Sequence, residues 1–311
     1  MTSPVICGAM YPCSNPELVA AVSEAGGIGI VQPVSLTYVH GYDFRDGLRY
    51  IRTLTDKPVG MNALIEQSSR HYHRRMQEWV DIALEEDIRF FVTSLGKPSW
   101  VVERVHAAGG YVYHDTTNRK FAGKAIEAGV DGLICVNNRA GGHTGQKGTA
   151  ELYNELADLN LPLVCAGGIS TAEDYRQALQ LGYEGVQMGT AFIATTECSA
   201  SQAYKQAIIN AQENDIILSE RITGVPVSVI NTPIIQRMGT RAGPLARWLL
   251  KGTRSKYLMR NLYALRSVIK LKKSLHDQTG KRDIWQAGKS VAGVDSIKPA
   301  AEIIRQLTME T

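Results

Sequence analysis

Eight short runs rich in valine and isoleucine recur along the first 190 residues, each separated from the next by a longer amphipathic stretch. They are PVICGAM (4–10), GIGIVQP (27–33), PVGMNALI (58–65), IRFFVTSL (88–95), GYVYHDT (110–116), GLICVNN (132–138), PLVCAGG (162–168) and EGVQMGT (184–190). Runs this short and this continuously apolar read as strands buried on both faces, which is the pattern of a parallel sheet covered by helices. Eight strand–helix units are the number that closes a barrel, so the expected fold is α/β, a TIM (β/α)8 barrel. A doubly wound open sheet is the rival, but it calls for a dinucleotide fingerprint after the first strand, and CGAMYPCSN is not one.

The intervening stretches carry helix signals. NPELVAAVSEAG (15–26), DFRDGLRYIRTLTD (43–56) and NRKFAGKAIEAGV (118–130) have helical spacing, and several helices run into a glycine that ends them. STAEDYRQALQLG (170–182) opens on Ser170 with Glu173 three places on, which predicts a capping box at that serine.

Past residue 215 the character changes. Between Ile216 and Asp283 there are fourteen lysines and arginines against three acids, Glu220, Asp277 and Asp283. The stretch 247–275 has helical spacing, with Leu, Met and Tyr among the basic residues. We therefore divide the chain into a barrel, residues 1–215, and a mostly helical basic extension, 216–311, packed on the barrel as a lid. The plain reading of that extension is a solvated amphipathic helix pair. The sharper one is an electropositive cover that attracts an anionic substrate, a phosphorylated cofactor or an acidic carrier protein. A membrane-surface helix ranks third.

Composition excludes several classes. A formal charge of +4 over 311 residues does not point to nucleic acid. The five cysteines show no CxxC pair and no metal-like spacing, and Cys7, Cys135 and Cys165 lie in strand-like runs. No apolar stretch approaches the roughly 18 residues of a membrane helix, and the first residues do not resemble a signal peptide. The expectation is a cytoplasmic protein with no membrane span.

In such a barrel the chemistry belongs in the loops at the carboxyl ends of the strands. AGGIS (166–170) and MGT (188–190) follow adjacent strands, where glycine lets backbone N–H groups approach phosphate oxygens. At GAM (8–10) and at Asn62, backbone and small polar groups are suited to line a flat ring system. His143, set in the glycine-rich AGGHTG, is the candidate acid–base residue, because imidazole titrates near neutrality. His71, His73, His106 and His276 read as surface and His40 as loop; His114 is either a cofactor contact or a satisfied buried histidine. With no HExxH and no carboxylate–histidine cluster, no catalytic metal is expected.

PVICGAM, AVSEAGGIGI, KPVGMN, AGGHTG, PLVCAGGIS and GVQMGTAFIATTEC, in that order and spacing, resemble the nitronate monooxygenase (2-nitropropane dioxygenase-like) family, to which the flavin-dependent enoyl-[acyl-carrier-protein] reductases are related. The likeness covers roughly residues 4 to 215 and returns at IWQAGKSVAGV (284–294), which is similar to the family's closing segment near the flavin. It implies a non-covalently bound FMN. Its phosphate would rest on Ala166, Gly167, Gly168, Met188, Gly189 and Thr190, and its ring system over Gly8, Ala9, Met10 and Asn62, with Gly141 and Gly142 nearby. His143 matches the family's catalytic histidine. Two positions depart from the pattern: Asp115 stands where some relatives carry a lysine near the flavin, and Ala191 replaces an arginine that often follows MGT.

The function this implies is oxidation of alkyl nitronates or propionate-3-nitronate to a carbonyl compound and nitrite with O2. The alternative is an FMN- and NAD(P)H-dependent reductase of an enoyl thioester or a quinone, which the basic extension favours. A flavin-binding barrel without catalysis is a third class, and an intact His143 argues against it. The expected partner is a small molecule; a homodimer is left open.

Overall fold

The computed structural model describes residues 4–66, 69–241, 243, 266, 268–275, 277 and 283–308. All eight apolar runs become parallel strands of one closed barrel. In chain order they are β1 (Val5–Cys7), β2 (Ile28–Val31), β3 (Gly60–Ile65), β4 (Phe90–Leu95), β5 (Tyr111–Thr116), β6 (Gly132–Val136), β8 (Leu163–Ala166) and β9 (Gly185–Met188). A two-residue strand, β7 (Gly142–His143), lies outside the barrel. Closure comes from β9 pairing with β1, Val186 against Val5 and Met188 against Cys7.

The runs are apolar throughout because successive side chains serve two cores. Ile6, Ile28, Ile30, Val92, Ile134, Val164 and Ala166 form the interior cluster. Their neighbours along the strands, such as Val5, Cys7, Leu133, Cys135, Cys165 and Val186, belong to the larger core shared with the helices. Those helices are α1 (Pro16–Glu24), α2 (Phe44–Leu54), α3 (Arg70–Glu85), α4 (Ser99–Ala107), α5 (Arg119–Ile126), α6 (Thr149–Leu156) and α7 (Ala172–Leu181). The capping box of α7 is one residue later than expected. Thr171, not Ser170, is the N-cap: Asp174 N–H donates to Thr171 Oγ1 at 3.1 Å, and Thr171 N–H to the Asp174 carboxylate at 2.9 Å. Both registers offer a hydroxyl and an acid; the one adopted also buries Tyr175 and Ala178.

Beyond β9 come α8 (Thr190–Ile193), α9 (Gln202–Asn210), β10 (Ile216–Ser219), β11 (Val227–Ile230), α10 (Pro233–Met238) and α11 (Ala300–Thr308). β10, β11 and β7 form a small antiparallel sheet. Its underside joins Ile222, Val227, Val229 and Ile235 to Leu271 and Ile284. α11 buries Ala300, Ile303, Ile304 and Leu307 and packs against both α1 and α7, in the position of an eighth wall helix. Of the expected basic helix pair over 247–275, residues 268–275 are helical, with Leu271, Ser274 and Leu275 buried and Lys270, Lys272 and Lys273 exposed. The remainder, and His276, lie outside the described residues. Among the described residues no helix is long and apolar enough to cross a membrane.

Candidate functional site

The carboxyl ends of β8, β9 and β1 are joined by short contacts. Gly8 N–H donates to Met188 O at 2.9 Å. A side chain at Gly8 would press within 3.0 Å of Gln187, so glycine there lets Gln187 lie flat against the strand end. The thioether of Met10 packs over Gly189, and Ala9 lies on the interior cluster. Asn62 is buried on β3 and donates through Nδ2 to Val92 O at 3.3 Å.

The loop after β8 is left-handed at two successive residues, Gly167 (φ 116°) and Gly168 (φ 81°). A Cβ at Gly167 would come within 2.6 Å of Ala140 N, and one at Gly168 within 2.5 Å of Arg139 Nε. The two loops are stapled by Asn137, which is fully buried. Its Oδ1 accepts from Arg139 N–H at 2.8 Å and its Nδ2 donates to Gly167 O at 2.8 Å. Arg139 in turn forms an ion pair with Glu213, a cation held beside Gly168.

His143 is fixed from both sides. On β7 it pairs with Val227, and Gly142 pairs with Ser228. Behind them runs the segment 286–288: Gly141 lies against Gly288, and Gln286 bridges to Val229. That segment is anchored by Gly288 N–H donating to Thr190 Oγ1 at 2.9 Å, and by Tyr204 Oη–H donating to Gln286 O at 2.6 Å. The ring of Tyr204 also stacks on Trp285, with centroids 5.4 Å apart. His143 remains open to solvent, and partial desolvation by the surrounding chain holds its imidazole below the ordinary histidine range, so it is neutral at neutral pH.

Asp115 on β5 and Gln187 on β9 meet in the upper barrel. Burial pushes the Asp115 carboxyl up to about 7, and the nearby Gln187 amide partly offsets this. His114 is a satisfied buried histidine, its Nδ1 2.8 Å from Thr93 Oγ1, and burial pushes it down to about 4. His106 sits on the surface against Asp131 and His73 edge-on to Trp100. The five cysteines are free and buried. Among the described residues no group of three or more His, Cys, Asp or Glu is arranged to hold a metal ion.

The expected positions at β1, β8 and β9 thus touch one another, and 141–143 joins them through Gly288 and Thr190. Asn62 stands apart from them on β3, its amide donating to Val92 O of β4. Asn137, Arg139, Gln187 and Gln286 escaped the reading of the sequence. Asn137 carried the signal that singled out Asn62, a polar residue closing an apolar strand. For Gln286 and Arg139 there was none, since their roles depend on partners remote in the chain.

A model of the nitronate monooxygenase family matches residues 1–310. A (3aS,4S,5R,7aS)-5-hydroxy-7a-methyl-1-oxo-octahydro-1H-indene-4-carboxyl-CoA dehydrogenase of Rhodococcus jostii (strain RHA1) is 30% identical over 236 residues, 76% of this chain and 64% of that protein. The chain therefore matches a little under two thirds of that relative's length. A probable nitronate monooxygenase of Staphylococcus saprophyticus subsp. saprophyticus is 28% identical over 277 residues, 76% of this chain and 77% of the relative. Among solved structures, FabK from Thermotoga maritima is similar with a TM-score of 0.81 at 28% identity, covering 100% of this chain and 93% of that one. A nitroalkane oxidase from Streptomyces ansochromogenes shares the fold, with a TM-score of 0.78 at 21% identity over 99% and 95% of the two chains.

Proposed function

The chain belongs to the nitronate monooxygenase family of oxidoreductases, and from that membership we propose that it is an FMN-dependent enzyme oxidising alkyl nitronates or propionate-3-nitronate, with O2, to a carbonyl compound and nitrite. The observation that carries the reading is the setting of His143: a neutral imidazole, fixed on a strand, open to solvent, with only glycine on the two residues before it.

The mouth fits the cofactor on its own chemistry. The left-handed Gly167–Gly168 turn and Gly189 present backbone without side chains, as a phosphate requires, and Arg139 adds a cation beside them. Ala166, Met188 and Thr190 complete that cradle. Gly8, Ala9, Met10 and Asn62 offer a flat, mostly apolar seat for a ring system, edged by the unpartnered buried oxygens of Asp115 and Gln187. FMN, when bound, supplies the electron transfer and the reaction with oxygen. The chain's own part is narrower: Gly141 and Gly142 leave room for the substrate carbon, and His143 takes a proton from that carbon or returns one. Its lowered basicity suits acceptance at neutral pH.

A second reading is an FMN- and NAD(P)H-dependent reductase of an enoyl thioester or quinone. It is favoured by the basic excess between Ile216 and Asp283, which suits an anionic thioester carrier, and by a relative whose named substrate is a carboxyl-CoA. The test is the visible spectrum of the purified protein, followed by anaerobic mixing with propionate-3-nitronate, and separately with NADH and NADPH. Bleaching of a flavin band by the nitronate alone supports the first reading. Full reduction by a nicotinamide, with the nitronate inert, replaces it with the second. A protein that takes up no FMN overturns both.

A further inference from the structure

The barrel interior is apolar up to its mouth, where a carboxyl group and a carboxamide from separate walls meet. Asp115, next to last in β5, is level with Ile134 of β6. Gln187, next to last in β9, is level with Ala166 of β8 and Ile6 of β1. Those three neighbours all belong to the interior cluster, so both polar side chains point inward at its upper edge. The Gln187 amide lies near enough to the Asp115 carboxyl to lower its pKa, and Asp115 Oδ1 and Gln187 Oε1 are buried with no partner. A buried polar atom left unpaired loses its bonds to water and gains none in return. Two such atoms at the upper edge of one interior, with glycine at position 8 setting no side chain against Gln187, point to a ligand that supplies the missing bonds.

We propose that Asp115 is the proton-holding residue of the flavin site: with Gln187 it hydrogen-bonds the bound flavin, and it takes up a proton when the flavin gains two electrons. The inference rests on the flavin reading above. With Asp115 ionised, reduction by a two-electron donor brings two electrons and one proton to the flavin, which then carries one negative charge. A second proton passes from solvent to a carboxylate oxygen of Asp115, forming an O–H bond. With Asp115 already protonated, only the flavin's own proton is taken up. The driving force is electrostatic, because two negative charges in one poorly solvated pocket repel strongly.

The surroundings leave this role to Asp115. From β9 it faces neutral Gln187, and from β6 Ile134 and the Cys135 thiol, which burial and Asp115 itself push up and keep protonated. On β5, Tyr113 is a phenol pushed up by burial, and His114 turns to Thr93 of β4 and is held neutral. No lysine or arginine among the described residues acts on Asp115, whose carboxyl is pushed up to about 7, within reach of ordinary working pH.

The experiment is an anaerobic potentiometric titration with dithionite, following flavin absorbance across about pH 5.5 to 9, on flavin-loaded wild type, Asp115→Asn and Asp115→Glu. Wild type should take up one proton per two electrons at the acid end and two at the alkaline end. Asp115→Asn should take up one throughout, and Asp115→Glu should restore the bend. The same bend in flavin-loaded Asp115→Asn overturns the proposal and leaves the flavin reading standing. A wild type that binds no flavin overturns both. Should the asparagine variant lose its flavin, redox-difference infrared spectroscopy of wild type above pH about 7 decides: a carboxylic-acid C=O band must rise on reduction, and its absence overturns the proposal.

Discussion

His143 and Val227 face each other across an antiparallel bridge, so the imidazole of the glycine-rich loop is held by a strand that enters the fold only after the barrel strands are complete. Val227 and Val229 of that strand are fully buried, so the strand is anchored by the core and fixes the loop through backbone pairing that does not depend on the imidazole. His143→Ala should therefore fold normally and keep its flavin while turnover falls by about 10²-fold or more, the usual scale of general acid–base catalysis. Activity within a few-fold of wild type would remove His143 from the chemistry.

Two glycine substitutions should behave oppositely. Gly167→Ala forces a methyl group into Asn137 and Ala140 at a left-handed residue. It should yield soluble but colourless protein, destabilised by more than about 1 kcal/mol. Gly123 lies inside α5 with nothing near its missing Cβ. Gly123→Ala should instead stabilise by about 0.5–1 kcal/mol and leave flavin binding unchanged. Chemical denaturation and the flavin absorbance of the two purified variants check both.

Thr190 accepts the Gly288 amide in a buried bond that ties 286–288 to the strand end. Thr190→Val keeps the shape and leaves that amide without an acceptor, at a cost of about 1–3 kcal/mol. We expect faster hydrogen exchange at Gln286–Gly288 and weaker flavin retention. Unchanged exchange there would show that the segment is held by its other contacts, among them the Tyr204–Trp285 stack, the Tyr204–Gln286 bond and the Val229–Gln286 bridge.

Burial acts with opposite sign on two neighbours in β5. His114 is pushed from 6.5 down to about 4, so between those values the unfolded chain binds more protons and stability rises with pH. Asp115 is pushed from 3.8 up to about 7, so across that window the folded chain binds more protons and stability falls as pH rises. The His114 effect integrates to about 3 kcal/mol and the Asp115 effect to about 4 kcal/mol, and between about pH 4 and 6.5 they oppose. Asp115→Asn should uncover the His114 slope: subtracting the wild-type curve should leave a rise of up to about 1.4 kcal/mol per pH unit. Coincident slopes for the two proteins in denaturant titrations across that range would refute the opposition.

The barrel was legible because its code is local. A run such as GLICV needs no distant partner to announce a strand buried on both faces, and all eight runs form. The capping box lies one residue later than expected because Ser170 and Thr171 both precede an acid at the right distance, and the sequence alone does not choose between them. Of the candidate site, Gly167, Gly168 and His143 were visible from composition and position along the chain. Asn137 was readable and overlooked. The β7–β11 pairing was not readable, since two residues carry no strand periodicity and their partner lies far along the chain. The same holds for α11, whose apolar stripe does not say which wall it completes.

That last helix changes how the molecule is to be divided by descent. Since α11 fills the gap between α7 and α1, the stretch from Ala194 to Pro299 is topologically an insertion within the eighth β/α repeat. Selection can lengthen, replace or re-charge such an insertion without reopening the ring.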